Sequence, residues 1–213
     1  MTQKSPPYPS RADRLERAMG LARGTVYPEK VSGAAEQIMR TVIPALFEDR
    51  PDLAGARVLD IGCGTGLAME VFRDQGANPL GITWGEDGAL CRAKGLEVVE
   101  ADITFLDFPS ESFDIVWCRH ALEHVVAPMV TLLDMRRVLR AKGLAYIEVP
   151  APDTWCRHET NPNHFSVLGA AMWGELITRA GFSITRRRDY VLGREADDMT
   201  DTYYSFLCEP ASV

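Results

Sequence analysis

The chain has 213 residues, 46% of them hydrophobic and 25% charged, enough for one globular domain with a sizeable core. A formal net charge of −7 excludes a broadly basic nucleic-acid-binding face, and no window has the length and apolarity of a membrane span. Five cysteines (Cys63, Cys91, Cys118, Cys156, Cys208) without CxxC spacing, and no signal-like N-terminal pattern, imply free thiols and a cytoplasmic setting.

Residues 1–9 are Pro-rich and read as a loose tail. Ser10 can cap a short amphipathic helix over 11–21, residues 24–28 read as a loop, and a second helix over 32–49 is expected to bend at Pro44. The pattern then changes. Short apolar strands at 57–61, 79–83, 97–100, 113–118 and 144–149 alternate with helices at 66–75, 87–94 and 128–140, several closed by glycine. Such alternation predicts a parallel sheet with crossover helices. Residues 150–168 break the alternation with three prolines and many polar and aromatic groups. A helix over 168–180 and strands at 182–191 and 202–208 follow, and the short polar turn at 194–201 suits an antiparallel pair. The arginines at 186–188 read as a charged strand edge, which blocks unwanted pairing.

After the first strand, VLDIGCGTG (58–66) places glycines at 62, 64 and 66. Glycine there lets backbone approach a ligand, and the turn opens a helix whose N–H groups face whatever sits above it. The third glycine comes one residue early for a dinucleotide fingerprint, and the Gly-Lys-Ser/Thr ending of a phosphate loop is absent. Asp60 beside the turn can order the loop and attract a cationic ligand.

VLDIGCGTG resembles motif I of the class I S-adenosylmethionine (SAM)-dependent methyltransferases. The resemblance continues in order through EADI (100–103), FPSESFDIV (108–116), HALEHV (120–125), RVLR-KG (137–143) and AGF (180–182), and covers roughly residues 35–208. It implies an α/β, Rossmann-like, seven-stranded and mostly parallel sheet with helices on both faces and an antiparallel C-terminal strand pair. It also implies a single domain, with residues 1–50 (tail and helices) and 150–168 as lids, SAM as cofactor and S-adenosylhomocysteine as product. The cofactor contacts it implies are Asp60, Gly62, Cys63, Gly64 and Gly66 in the turn, Thr83 and Trp84 after the second strand, Asp102 and Ile103 after the third, and Cys118 and Arg119 at the end of the fourth. Asp102 is the residue that meets the adenine amino group in the family. Thr83 departs from the family pattern, which has an acidic residue on the ribose. Glu86 or Asp87 can reach back, and Trp84 can pack on the adenine.

All four histidines (His120, His124, His158, His164) follow the fourth or fifth strand, and so lie at the carboxyl-end mouth where α/β sheets bind ligands. Three roles fit them: general base, with His124 or His164 foremost and His120 behind; metal ligand, through His120, Glu123 and His124 on one helical face; or structural tie. Cys63 and Cys118 read as small packing residues rather than nucleophiles. Arg119 and Arg157 suit an anionic acceptor group, and Tyr27 is placed to reach the methionine end of SAM. The acidic chain without a docking domain points to a small-molecule acceptor taking the methyl on O, N or S, with no nucleic-acid or membrane partner and a monomeric or homodimeric state. A metal-assisted enzyme of the same fold, or a non-catalytic SAM-binding protein, are the alternatives.

Overall fold

In the computed structural model, which describes residues 10–23, 33–194 and 199–212, the first five strands lie parallel and in the order that leaves a crevice at their centre. These are β1 (Arg57–Ile61), β2 (Asn78–Thr83), β3 (Glu97–Glu100), β4 (Phe113–Arg119) and β5 (Leu139–Pro150). With β6 (Phe182–Arg194) and β7 (Met199–Pro210) they form one seven-stranded sheet in the order β3-β2-β1-β4-β5-β7-β6, the last two antiparallel. Strand order reverses between β1 and β4, and a ligand crevice opens beyond the carboxyl ends there.

Among the described residues six α-helices accompany the sheet: α1 (Arg11–Arg23), α2 (Gly33–Asp49), α3 (Leu67–Asp74), α4 (Glu86–Ala93), α5 (Pro128–Val138) and α6 (Ala170–Arg179). Side chains alternate across the sheet, so each strand feeds two cores. Leu59 and Ile61 of β1 and Val116 and Cys118 of β4 join Leu132, Met135, Trp173 and Ile177 from α5 and α6. Val58, Ile115 and Trp117 face the other way, onto Met39, Ile43 and Leu46 of α2 and Phe72 of α3. Burial on both faces is why β1 reads as a nearly continuous apolar run. Trp117 stacks on Tyr146 at 4.1 Å and meets Phe72 edge-on at 5.4 Å, geometries that add to the area they bury.

Four expectations change. The second helix is a wall of the core rather than a lid: it continues through Pro44, and Ile43 beside it is fully buried. The helix expected over 128–140 stops at Val138, because Leu139 is buried and pairs with Phe113 at the start of β5. Gly143 is then a strand residue, not a helix cap; a Cβ there would meet the Asp114 carbonyl at 2.7 Å. Asp201, expected in a turn, belongs to β7 and pairs with Leu192, because the hairpin register runs on to Arg194 and Met199. The arginines at 186–188 do lie on the edge strand, where Arg186 reaches Asp49 and Arg187 pairs with Asp189. All five cysteines are free thiols, and among the described residues no helix is long and apolar enough to cross a membrane. Tyr27 lies outside the described residues.

Candidate active site

The glycine turn divides its work among its glycines. Gly62, Gly64 and Gly66 all have positive φ (72°, 51° and 83°), a region L side chains avoid. A Cβ on Gly62 would lie 2.8 Å from the Ala121 Cβ, and one on Gly66 would lie 2.5 Å from Leu96 Cδ1. These two are demanded by packing. A Cβ on Gly64 would meet nothing nearer than Asp87 Oδ2, at 3.9 Å, so here the bare backbone borders the crevice. The Cys63 side chain turns away under the sheet: a Cβ on Gly81 would lie 2.5 Å from its sulfur. Burial pushes the Cys63 thiol far up, so it is a packing residue whose backbone alone belongs to the turn.

Asp60 and Arg119 sit side by side at the ends of β1 and β4. Asp60 is buried, its Oδ2 has no hydrogen-bond partner, and burial pushes its pKa up to about 7 against the opposing pull of Arg119. The Arg119 side chain is 9% exposed; its Nε lies 2.7 Å from Glu148 Oε1 as an ion pair, and neither Nε nor Nη2 makes a hydrogen bond among the described residues. A buried polar atom without a partner costs about 1–3 kcal/mol. SAM fits this pair, since it carries a sulfonium and an ammonium for the carboxylate and a carboxylate for the guanidinium.

Around them stand the other expected contacts. Thr83 is buried at the end of β2, and Trp84 just beyond it is 48% exposed. Asp87, in the first turn of α4, has its carboxyl pKa raised by partial burial and by Glu86. Asp102 Oδ1 accepts the Thr104 N–H at 2.9 Å, which fixes the turn after β3, and Ile103 packs on the core. The Cys118 side chain is wholly buried in the core, and burial holds its thiol well above the usual value; it offers the crevice neither a nucleophile nor a side-chain contact.

The structure brings all four histidines together and sorts them. The 120–125 segment is not an α-helix. His120 takes a left-handed φ of 51°, and Leu122–His124 form one 3-10 turn. The face that would join His120, Glu123 and His124 is therefore absent, and His120 leaves the trio. Its Nε2 lies 3.2 Å from Glu148 Oε1 and its ring stacks on Tyr203 at 4.4 Å. Burial and the Arg119 charge lower its pKa. Glu148 is itself fully buried; burial opposes its ionisation, but His120, Arg119 and Tyr146 hold its carboxyl below the usual value. Tyr146 donates to it at 2.5 Å.

His124 and His164 meet edge to face with ring centroids 4.8 Å apart, beside Glu123. His158 donates to Asp201 at 2.9 Å, and the Tyr203 hydroxyl donates to the same carboxylate. Although burial opposes it, these bonds hold the Asp201 carboxyl far below the usual range. The 150–168 loop is tied to the histidine turn by the Phe165 and Ser166 N–H groups, which donate to the Glu123 carbonyl at 2.7 and 3.1 Å. Arg157 on that loop is exposed and has a left-handed φ of 49°.

Sequence reasoning missed Glu148, Asp201 and Tyr203. Glu148 had a readable signal: it is the one carboxylate in the apolar stretch 144–149, next to the mouth end of its strand. Asp201 and Tyr203 had none, since only the hairpin register brings them back to the fifth strand.

Residues 59–147 match the family model described as a methyltransferase domain. The ubiquinone biosynthesis O-methyltransferase of Pseudomonas aeruginosa is 32% identical over 144 residues, 62% of this chain and 58% of that protein. The enzyme of the same name from Hahella chejuensis is 37% identical over 102 residues, 44% of this chain and 43% of that one. The chain thus spans less than two thirds of the length of these relatives. Among solved structures, the Burkholderia thailandensis 1,6-didemethyltoxoflavin-N1-methyltransferase, with bound 1,6-didemethyltoxoflavin and S-adenosylhomocysteine, superposes with a TM-score of 0.68 at 16% identity, covering 98% of this chain and 94% of that one. The [4+2]-cyclase SpnF gives a TM-score of 0.66 at 19% identity, covering 95% of each chain. At these identities the likeness is one of fold.

Proposed function

We propose that this chain is a class I SAM-dependent methyltransferase, a reading supported by the methyltransferase-domain match over residues 59–147 and by the likeness to O-methyltransferases, and that it transfers the methyl group of SAM to an oxygen, nitrogen or sulfur atom of a small molecule. The observation that carries this is the Asp60–Arg119 pair, a buried carboxyl and a largely covered guanidinium whose buried polar atoms lack hydrogen bonds, beside the glycine turn. The O- and N-methyltransferase names of the relatives support an O or N acceptor over S.

When bound, SAM supplies a methyl group made electrophilic by its sulfonium, and the acceptor lone pair displaces S-adenosylhomocysteine. The chain's part is to position and deprotonate. Asp60 meets the cationic end, Arg119 the carboxylate, Gly64 the close backbone approach, Trp84 an adenine face and Asp102 the adenine edge. Asp87, near Gly64, offers the carboxylate that Thr83 lacks for the ribose.

Of the three candidate bases, His120 suits the task best. Glu148 accepts from its Nε2–H, which leaves the lone pair on Nδ1, and its lowered pKa keeps the ring neutral. A carboxylate that sets a histidine's tautomer and orientation is a recurrent device for making a base. Arg119 is committed to two carboxylates, so an anionic group on the acceptor falls to Arg157.

Calorimetric titration with SAM and with S-adenosylhomocysteine tests the reading, followed by a metabolite screen with methyl-labelled SAM. Heat with both ligands and label in one acceptor are expected; no heat with either overturns it.

A further inference from the structure

We propose that Cys91 and Lys94 are positioning residues for the cofactor: from the side of α4 they hold two carbonyls of the glycine turn, and so set the backbone on which SAM rests. The proposal rests on the reading of the crevice as a SAM site.

Two successive carbonyls of the turn are tied to α4. The Gly64 carbonyl accepts from the Cys91 thiol at 3.2 Å, and the Thr65 carbonyl accepts from Lys94 Nζ at 2.9 Å. Cys91 lies in this eight-residue helix and Lys94 is its C-cap. Asp87 comes from the same helix, and its Oδ2 lies 3.9 Å from where a Cβ on Gly64 would stand. Residues 87, 91 and 94 follow the i, i+4, i+7 spacing that puts side chains on one helical face. That face offers the turn a carboxylate, a thiol and an ammonium in a row.

Both donors are held in place. Cys91 is wholly buried with Met69 and Leu96, and a Cβ on Gly66 would come 3.0 Å from its sulfur. The sulfur therefore lies against Gly64 and Gly66 together. Burial raises the Cys91 pKa, so the thiol keeps the proton that it donates. Cys63 makes a longer contact with the same Gly64 oxygen, at 3.7 Å. Lys94 Nζ is braced by Glu70 Oε2 at 3.0 Å, from the first turn of α3.

Glycine has the widest choice of backbone angles. Close packing constrains Gly62 and Gly66, whereas Gly64 has open space beside it. In a planar trans peptide the N–H points opposite to the C=O. Holding the Gly64 carbonyl toward Cys91 therefore fixes that peptide plane and turns the Thr65 N–H away from the helix. A backbone ordered before its ligand arrives binds more tightly, because less freedom is lost on binding.

The test is calorimetric titration of the full chain with SAM and with S-adenosylhomocysteine, beside thermal melts of each variant. Cys91→Ala removes a donor and should weaken both ligands about 5- to 10-fold. Cys91→Ser returns a hydroxyl donor to the same carbonyl and should bind within about 2-fold of wild type. If the sulfur served only to fill space, a buried hydroxyl would do no better than alanine. Lys94→Met keeps the aliphatic stem and loses the ammonium, and should weaken binding about 3- to 10-fold with its melt unchanged. Leu90→Ala, on the exposed side of α4, should leave affinity unchanged. Unchanged affinity in either Cys91→Ala or Lys94→Met, or binding in Cys91→Ser as weak as in Cys91→Ala, overturns the positioning role and leaves the SAM reading standing. No heat with the wild-type chain removes both. If Cys91→Ala does not fold, Lys94→Met, whose side chain is partly exposed, carries the test.

Discussion

His120 and Glu148 are bonded twice, once through the backbone and once through the side chains. The His120 N–H donates to the Glu148 carbonyl at 2.9 Å, and His120 Nε2 lies 3.2 Å from Glu148 Oε1. The first bond holds the left-handed backbone at His120, and the second sets the ring's tautomer. If this pair is the base, Glu148→Gln should lower kcat on the order of 10²-fold, within the usual contribution of general base catalysis. The Glu148 bond and charge raise the His120 pKa against burial. Their removal should therefore move the acid limb of the kcat profile to lower pH. A pH–rate profile showing a kcat loss with no shift of that limb would assign Glu148 a structural role only.

Cofactor affinity should depend on pH through Asp60. Its pKa of about 7 means that a cation must find the carboxylate ionised. SAM affinity should rise by up to about tenfold per pH unit below 7 and level off above it. Stability without ligand runs the opposite way. A carboxyl whose folded pKa is raised stabilises the fold fully below its unfolded value, near 3.8, and loses that contribution as pH rises through about 7. Asp60→Asn should flatten both dependences and weaken SAM binding, as measured by calorimetry and by thermal melts across pH.

The glycines of the turn should separate stability from binding. Gly66→Ala forces a Cβ against Leu96 and Cys91 at a positive φ. It should cost about 2–3 kcal/mol and lower Tm by roughly 4–12 °C for a chain of this size. Gly64→Ala meets no close atom and should cost only about 1 kcal/mol of strain, while weakening SAM more than tenfold. Denaturant melts and calorimetry on the two variants check the contrast; equal effects would count against the division.

Trp84→Ala should leave stability within about 0.5 kcal/mol, because the side chain is half exposed. SAM affinity should fall by about 1–2 kcal/mol, the range for a base stacked on an aromatic ring. Unchanged affinity would show that Trp84 does not meet the adenine.

Much of the fold was legible along the chain. The short apolar strands ended by glycine, and the helices between them, have periods that local sequence carries directly. The boundaries that shifted were set by contacts elsewhere: Leu139 became strand because Phe113 pairs with it, and Asp201 became strand because the hairpin register continues past Leu192.

For the site the division is sharper. The sequence by itself determined the glycine turn, the carboxylate beside it and the placing of four histidines at the carboxyl ends of the strands, since each follows from local pattern and from the topology of a parallel sheet. Only the tertiary structure decided which histidine meets which carboxylate. HALEHV has helical spacing on paper, yet the left-handed backbone at His120 sends one ring to Glu148 and leaves the other with Glu123 and His164. Those pairings arise from a buried strand, a loop and a hairpin folding onto one mouth, and separation along the chain carries no record of that proximity.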